Sequence, residues 1–156
     1  MTSELTTIEK SFEKAYEYAL ISLQMDEVPA GAVIIRKGEI ISGSGNKIKT
    51  NKNPTAHAEL IAIQQATQTL QNERLTGCEL VCTLEPCAMC SGAIILARIE
   101  KVHFLAYDEK LPALRQIVEL PGHNHKVKWQ RHEIPHLPYI ETLQKFFREK
   151  RKSKSS

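Results

Sequence analysis

The chain has 156 residues, 42% hydrophobic and 25% charged, with only seven Gly and seven Pro, which is the size and composition of one ordinary globular domain and excludes a disordered or fibrous chain. Four cysteines are too few for a disulfide scaffold, no stretch approaches the roughly 20 apolar residues of a membrane span, and Met1–Lys10 lacks the order of a signal peptide, so a cytosolic, non-membrane protein with reduced thiols is expected. The net charge of +3 is uneven, with 12 Lys/Arg against 15 Asp/Glu in residues 1–125 and 9 against 3 in residues 126–156, a basic end that fits either a phosphate-rich partner or a solvated tail.

Ile8, Phe12, Ala15, Ala19 and Leu23 recur at helical spacing, and Thr6 with Glu9 has the form of a capping box, which predicts a first helix running to about Leu23. Ala30–Ile35 and Ile40–Ser42 read as a hairpin turned at Arg36-Lys37-Gly38-Glu39, and residues 43–54 as a loop. Ala56–Leu70 has helical period without interior Gly or Pro, Cys78–Leu84 has strand character, and Pro86 opens a helix to about Ile99. Val102–Tyr107 reads as a strand, Ala113–Glu119 as a short helix, Val127–Ile134 as a last strand and Ile140–Lys150 as a basic C-terminal helix. Helix and strand alternate through the middle, which implies parallel crossovers and a sheet covered by helices on both faces. The opening hairpin makes that sheet mixed. There is no internal repeat or domain boundary, so residues 1–156 are expected to form a single domain.

Chemistry concentrates in His57-Ala58-Glu59 and Pro86-Cys87-Ala88-Met89-Cys90. Zinc takes thiolate sulfur and imidazole nitrogen in a tetrahedron, and a catalytic site holds three protein ligands and leaves the fourth position to water. His57, Cys87 and Cys90 form such a set. The two cysteines lie three apart on one face of a helix start, where the helix N-terminus favours thiolate. Residues two apart diverge on a regular helix, so His57 and Glu59 converge only at a helix end, with Thr55 or Ala56 as the cap after Pro54. Glu59 then stands beside the metal without ligating it, placed to move protons to and from a water whose pKa zinc lowers to about 7.

Taken alone, the Cys-x-x-Cys reads equally as a redox pair, a structural half-site or two buried thiols, and His-x-Glu alone says little. It is the combination of both motifs at helix starts that favours a hydrolytic zinc site. A closed all-cysteine site using Cys78 and Cys82 fails on distance, because residues four apart on a strand lie roughly 13 Å apart, whereas two sulfurs on one zinc lie within about 4.6 Å. Those two cysteines read as buried small apolar residues.

Asn53-Pro54-Thr55-Ala56-His57-Ala58-Glu59 and Thr83-Leu84-Glu85-Pro86-Cys87-Ala88-Met89-Cys90 resemble the zinc-dependent nucleoside deaminase superfamily, most closely its bacterial tRNA-specific adenosine deaminases. The likeness runs from about Phe12 to Lys150 and includes Val28–Val33, Phe104–Lys110 and Pro121–His125. It implies a three-layer α/β/α cytidine-deaminase-like fold with a mixed five-stranded sheet, one Zn2+ per subunit on His57, Cys87 and Cys90, and hydrolytic conversion of adenosine to inosine at the wobble position of a tRNA anticodon. Glu59 would carry protons from water to the ring nitrogen and then to the departing ammonia. The resemblance also places Asn46 at the target base, Asp108 near the ribose, and Asn124, Phe147 and Arg148 along the anticodon loop, although a loop Asn and a post-strand Asp are ordinarily turn or cap residues. A homodimer and an arginine tRNA partner are further implications.

After Asp108-Glu109-Lys110 the family has a glycine-rich stretch, whereas this chain reads Leu111-Pro112-Ala113-Leu114-Arg115 and is a few residues shorter. That leaves room for a deaminase of a free guanine or cytosine type base or nucleoside. The basic end speaks against it, because a small neutral substrate gives no use to Phe146-Phe147-Arg148 followed by Lys150-Arg151-Lys152, while an RNA loop needs phosphate neutralisation and stacking faces. A non-catalytic zinc-stabilised RNA-binding module is a third reading, which Glu59 disfavours because a structural site uses a fourth ligand. Lys152–Ser156 is expected to be a mobile end.

Overall fold

The computed structural model describes residues 2–155, and side-chain surroundings for residues 7–154. In chain order the elements are α1 (Thr2–Gln24), β1 (Gly31–Arg36), β2 (Glu39–Gly45), α2 (Ala58–Leu70), β3 (Cys78–Leu84), α3 (Ala88–Leu96), β4 (Lys101–Ala106), α4 (Leu114–Ile117), β5 (Lys128–Arg131) and α5 (Tyr139–Ser155). The strands form one sheet in the order β2-β1-β3-β4-β5. β1 is antiparallel to both β2 and β3, while β3–β4 and β4–β5 are parallel. The expected mixed five-stranded sheet with helical crossovers is therefore present.

Alternate residues of the central strands feed two cores, which is why β1 and β3 read as nearly continuous apolar runs. Ala32, Ile34, Leu80, Cys82, Val102 and Phe104 pack against Ala58, Ala62 and Ala66 of α2 and Ile94 and Ile95 of α3. Val33, Ile35 and Val81 meet Phe12 and Ala19 of α1 and Tyr139 of α5 on the opposite face. Cys78 and Cys82 are fully buried in β3, as their apolar reading required. The sheet and α1 approach closely at Gly31, where an added Cβ would collide with the Ala15 carbonyl oxygen. The hairpin turns through Lys37 and Gly38, both at positive φ, as a two-residue turn matching the strand twist demands.

Several boundaries differ from the sequence reading. The first helix begins at Thr2, so Thr6 and Glu9 lie inside it and do not cap it. β2 continues to Gly45, past Ser42, because its small residues fit under α1: an added Cβ at Gly45 would meet the Ser22 hydroxyl and the Tyr18 carbonyl. α3 stops at Leu96, well before Ile99, and Arg98 adopts a left-handed φ of 63°. α4 and β5 are shorter than expected. Residues 152–155, expected as a mobile end, continue α5, whose Lys and Arg are good helix formers with no Gly or Pro to stop them.

Candidate active site

Two helix starts build the site. His57 is the N-cap of α2 and Cys87 the N-cap of α3, both in extended backbone and neither capping with its own side chain. Extended caps let His57 and Glu59 reach the same space, which a regular helical pair could not. The cap of α2 is therefore later than expected, two residues after Thr55 and one after Ala56. Its missing bond comes from Asn46, whose Oδ1 accepts the Ala58 N–H at 2.8 Å. The loop between them is closed by Lys47 N–H to the Ala56 carbonyl at 3.0 Å. It is anchored by buried Glu27, which accepts the Lys49 N–H (3.2 Å) and the Thr50 N–H and hydroxyl (2.8 and 2.9 Å). Against the cost of its burial, these bonds hold the Glu27 carboxyl below its ordinary value.

His57, Cys87 and Cys90 bring their donor atoms within 4.8 Å of one another. Both sulfurs lie 3.6 Å from His57 Nδ1, which is the edge of about 3.6 Å expected for sulfur and nitrogen on one tetrahedral zinc. The Cys90 hydrogen bond, with help from His57, brings the Cys87 thiol down to about 4. Cys90 is pushed up by holding that shared proton and by burial. His57 is raised chiefly by its hydrogen bond to Cys87. One thiolate, one thiol and an imidazole crowded together form a donor set in which a cation replaces the shared proton, so the residues fit zinc. Glu59 is buried beside them and hydrogen-bonds Cys90; its burial raises the carboxyl above the usual range.

Asp108 follows β4 within electrostatic reach of Cys87, half-buried, and burial raises its carboxyl as well. Its Oδ1 accepts the Lys110 N–H at 2.9 Å. Asn46, His57, Glu59, Cys87, Cys90 and Asp108 thus gather around the starts of α2 and α3. Asn124 stands apart on an exposed turn flanked by His123 and His125, whose Nε2 atoms contact the Ile117 and Ile99 carbonyls at 3.1 and 2.7 Å. On α5, Phe147 and Arg148 are exposed, whereas Phe146 turns inward beside Leu20, Leu23 and Asp26. Tyr139 anchors that helix, its buried hydroxyl donating to the Pro29 carbonyl at 2.6 Å. Glu27 and Tyr139 were not singled out in the sequence, while Glu85 and Arg115 stood within the compared segments with no role of their own. Glu85 alone carried a signal, standing two residues before the first cysteine.

Two sulfurs and one imidazole leave a coordination position open, and a buried carboxylate adjoins it. On a mixed sheet between helical layers, that arrangement defines a hydrolytic deaminase of the cytidine-deaminase-like fold, acting on C–N bonds. Residues 7–151 match the MafB19-like deaminase family. A tRNA-specific adenosine deaminase of Aquifex aeolicus is 44% identical over 133 residues, covering 83% of this chain and 87% of that protein. A solved structure from work on A-to-I editing by tRNA:A34 deaminases at the wobble position of transfer RNA superposes with a TM-score of 0.76 at 35% identity, over 80% of this chain and 98% of that one. A guanine deaminase of Bacillus subtilis gives 0.62 at 28%, over 88% and 93%. The chain belongs to the MafB19-like deaminases of the zinc-dependent deaminase superfamily, closely related to the bacterial tRNA-specific adenosine deaminases.

Proposed function

We propose that this protein converts adenosine to inosine at the wobble position of a tRNA anticodon, with an arginine tRNA as its partner. The observation that carries the reading is the extent of the likeness: the relative that is 44% identical over 87% of its own length is a tRNA-specific adenosine deaminase. The basic α5 supports it, with Phe147 and Arg148 exposed. Such a pairing offers a stacking face and a phosphate ligand to a single-stranded loop.

In this reading His57, Cys87 and Cys90 hold Zn2+, which when bound supplies a water acidified to about pKa 7. Glu59 takes a proton from the attacking water and places it on the purine ring nitrogen, then takes the proton of the hydroxyl now on the ring carbon and delivers it to the amino group, which leaves as ammonia while the carbonyl of inosine forms. Asn46 orients the base: with Oδ1 committed to the Ala58 N–H, its amino group is the end that meets a ligand acceptor. Asp108 meets the ribose, while Asn124, Phe147 and Arg148 meet the anticodon loop.

We read the protein as a homodimer in the cytosol, a compartment that keeps Cys87 and Cys90 reduced. α3 carries no charge and leaves Met89 and Leu96 exposed, Leu96 to 77%, an apolar stripe suited to a second copy. No helix among the described residues is long and apolar enough to cross a membrane.

The likeness to a guanine deaminase and the altered 109–116 loop favour a second reading, a deaminase of free guanine. Incubation of the zinc-loaded protein with anticodon stem-loops, and separately with adenosine, guanine and cytidine, decides between them through ammonia release and inosine formation. Inosine in the stem-loop alone is expected. Ammonia from guanine with intact RNA would establish the second reading.

A further inference from the structure

Glu85 has a wholly buried side chain, two residues before Cys87, and the hydrogen bonds of its carboxylate go to the segment after β4. Its Oε1 accepts the Asp108 N–H at 3.0 Å and its Oε2 the Arg115 N–H at 3.0 Å. The Arg115 Nε lies 3.0 Å from both oxygens. The same guanidinium sits over the Tyr107 ring, 4.3 Å from its centre. Segment 108–115 therefore begins and ends on one carboxylate. Its far side is joined to the metal-bearing turn by Leu114 N–H to the Pro86 carbonyl at 3.0 Å and by the pairing of Ala113 with Cys87.

A buried carboxylate is tolerated only when paired and hydrogen-bonded. Arg115 supplies both the charge and the donor fork, so the conformation of the segment and the burial of Glu85 depend on each other. A short segment without the family's glycines has little freedom to wrap onto the turn by backbone contacts alone. Here a side chain does the holding: the Arg115 Nε is spent on Glu85 and its flat face on Tyr107.

We infer that Arg115 is a positioning residue for Asp108. Through Glu85 and Tyr107 it sets where the Asp108 carboxylate stands relative to His57, Cys87 and Cys90, and hence the register of the nucleotide. This rests on the reading of Asp108 as a substrate contact.

The test is a double-mutant cycle of Arg115→Ala and Asp108→Ala, read with whichever of the stem-loop, adenosine, guanine or cytidine the wild-type protein turns over, alongside zinc content and amide hydrogen exchange. Arg115→Ala is expected to lower kcat/KM about tenfold, mostly through KM, because a small misplacement of an orienting group is costly. In the Asp108→Ala background the same change costs less than about twofold, since the two act through one interaction. One zinc stays bound, and amides 108–114 exchange faster while those of α1 and α2 do not. Arg115→Lys, which keeps the charge but not the planar fork, recovers part of the KM. Equal losses in both backgrounds, or loss of zinc with Arg115→Ala, would overturn the proposal. Turnover of guanine but not RNA removes the tRNA reading and leaves the cycle to judge Arg115. Should no substrate turn over, unchanged exchange at 108–114 in Arg115→Ala overturns it.

Discussion

Asn46 Oδ1 accepts the backbone N–H of Ala58 at 2.8 Å, so the residue that follows β2 caps the helix carrying Glu59. The N-cap of α2 is His57, which makes no capping bond with its own side chain. Its ring is spent on the two sulfurs, with Nδ1 at 3.6 Å from each. An asparagine eleven residues upstream thus frees the histidine for metal while closing the helix start.

Substitutions at Asn46 separate the two jobs. Asn46→Ala removes the cap and is expected to cost about 1 kcal/mol of stability along with activity. Asn46→Asp keeps an oxygen acceptor near a helix N-terminus and loses less stability, yet lacks the amino group for the base and loses activity at least tenfold. Denaturant melts and kcat/KM on the stem-loop measure both. A fully active Asp variant would remove Asn46 from base recognition.

Glu59 and His57 differ in what they take away. Glu59→Gln keeps the shape and should retain one zinc while kcat falls by about 10²-fold or more, the usual contribution of a positioned acid–base group. His57→Ala should lose metal and activity together. Metal analysis beside turnover reads the pair, and an undiminished rate in Glu59→Gln would sink the proton-shuttle role.

The metal cluster was legible because zinc ligands are few in kind and sit at short spacings beside Pro54 and Pro86. The two-sided strands were legible because β1 and β3 are apolar on both faces. Glu27 and Glu85 were not, since their partners lie 22 to 30 positions away and only the folded chain joins them. Gly43 and Gly45 read as loop residues although they are strand residues kept small by α1. The polar end of α5 read as a tail because composition reports exposure and not helicity; Phe146 and Tyr139, its buried anchors, were the better guide.

The α5 charges predict a salt-dependent grip. Arg148 and Arg151 are exposed, whereas Lys150 is spent on Asp26, at 2.6 Å, and over the Phe146 ring. Arg148→Ala with Arg151→Ala should weaken stem-loop binding and reduce the slope of log affinity against log salt by about 0.7–0.9 for each phosphate no longer neutralised, with zinc retained. Lys150→Ala should lower stability more than it lowers the slope. Filter binding across a salt series reads the first and thermal melts the second. An unchanged slope in the double arginine variant would return α5 to a solvated helix.

His103, in β4, predicts an acid limit. Its Nε2 lies 2.7 Å from Glu79 Oε1 and its Nδ1 2.8 Å from His132 Nε2, with the His132 ring against Phe12. Burial lowers both imidazoles, and Lys101 opposes their charging too; Arg131 opposes that of His132, which falls to about 4. Glu79 pulls His103 the other way without reversing the direction. The unfolded chain, with ordinary histidines near 6.5, therefore binds protons before the folded one. The stabilisation is complete above about pH 6.5 and is lost as pH falls from there toward 4. Melting temperatures taken from mildly alkaline to acid pH should drop over that window, and His132→Gln, which cannot take up the proton, should flatten the drop. A melting profile as steep in His132→Gln as in the parent chain would assign the acid sensitivity elsewhere.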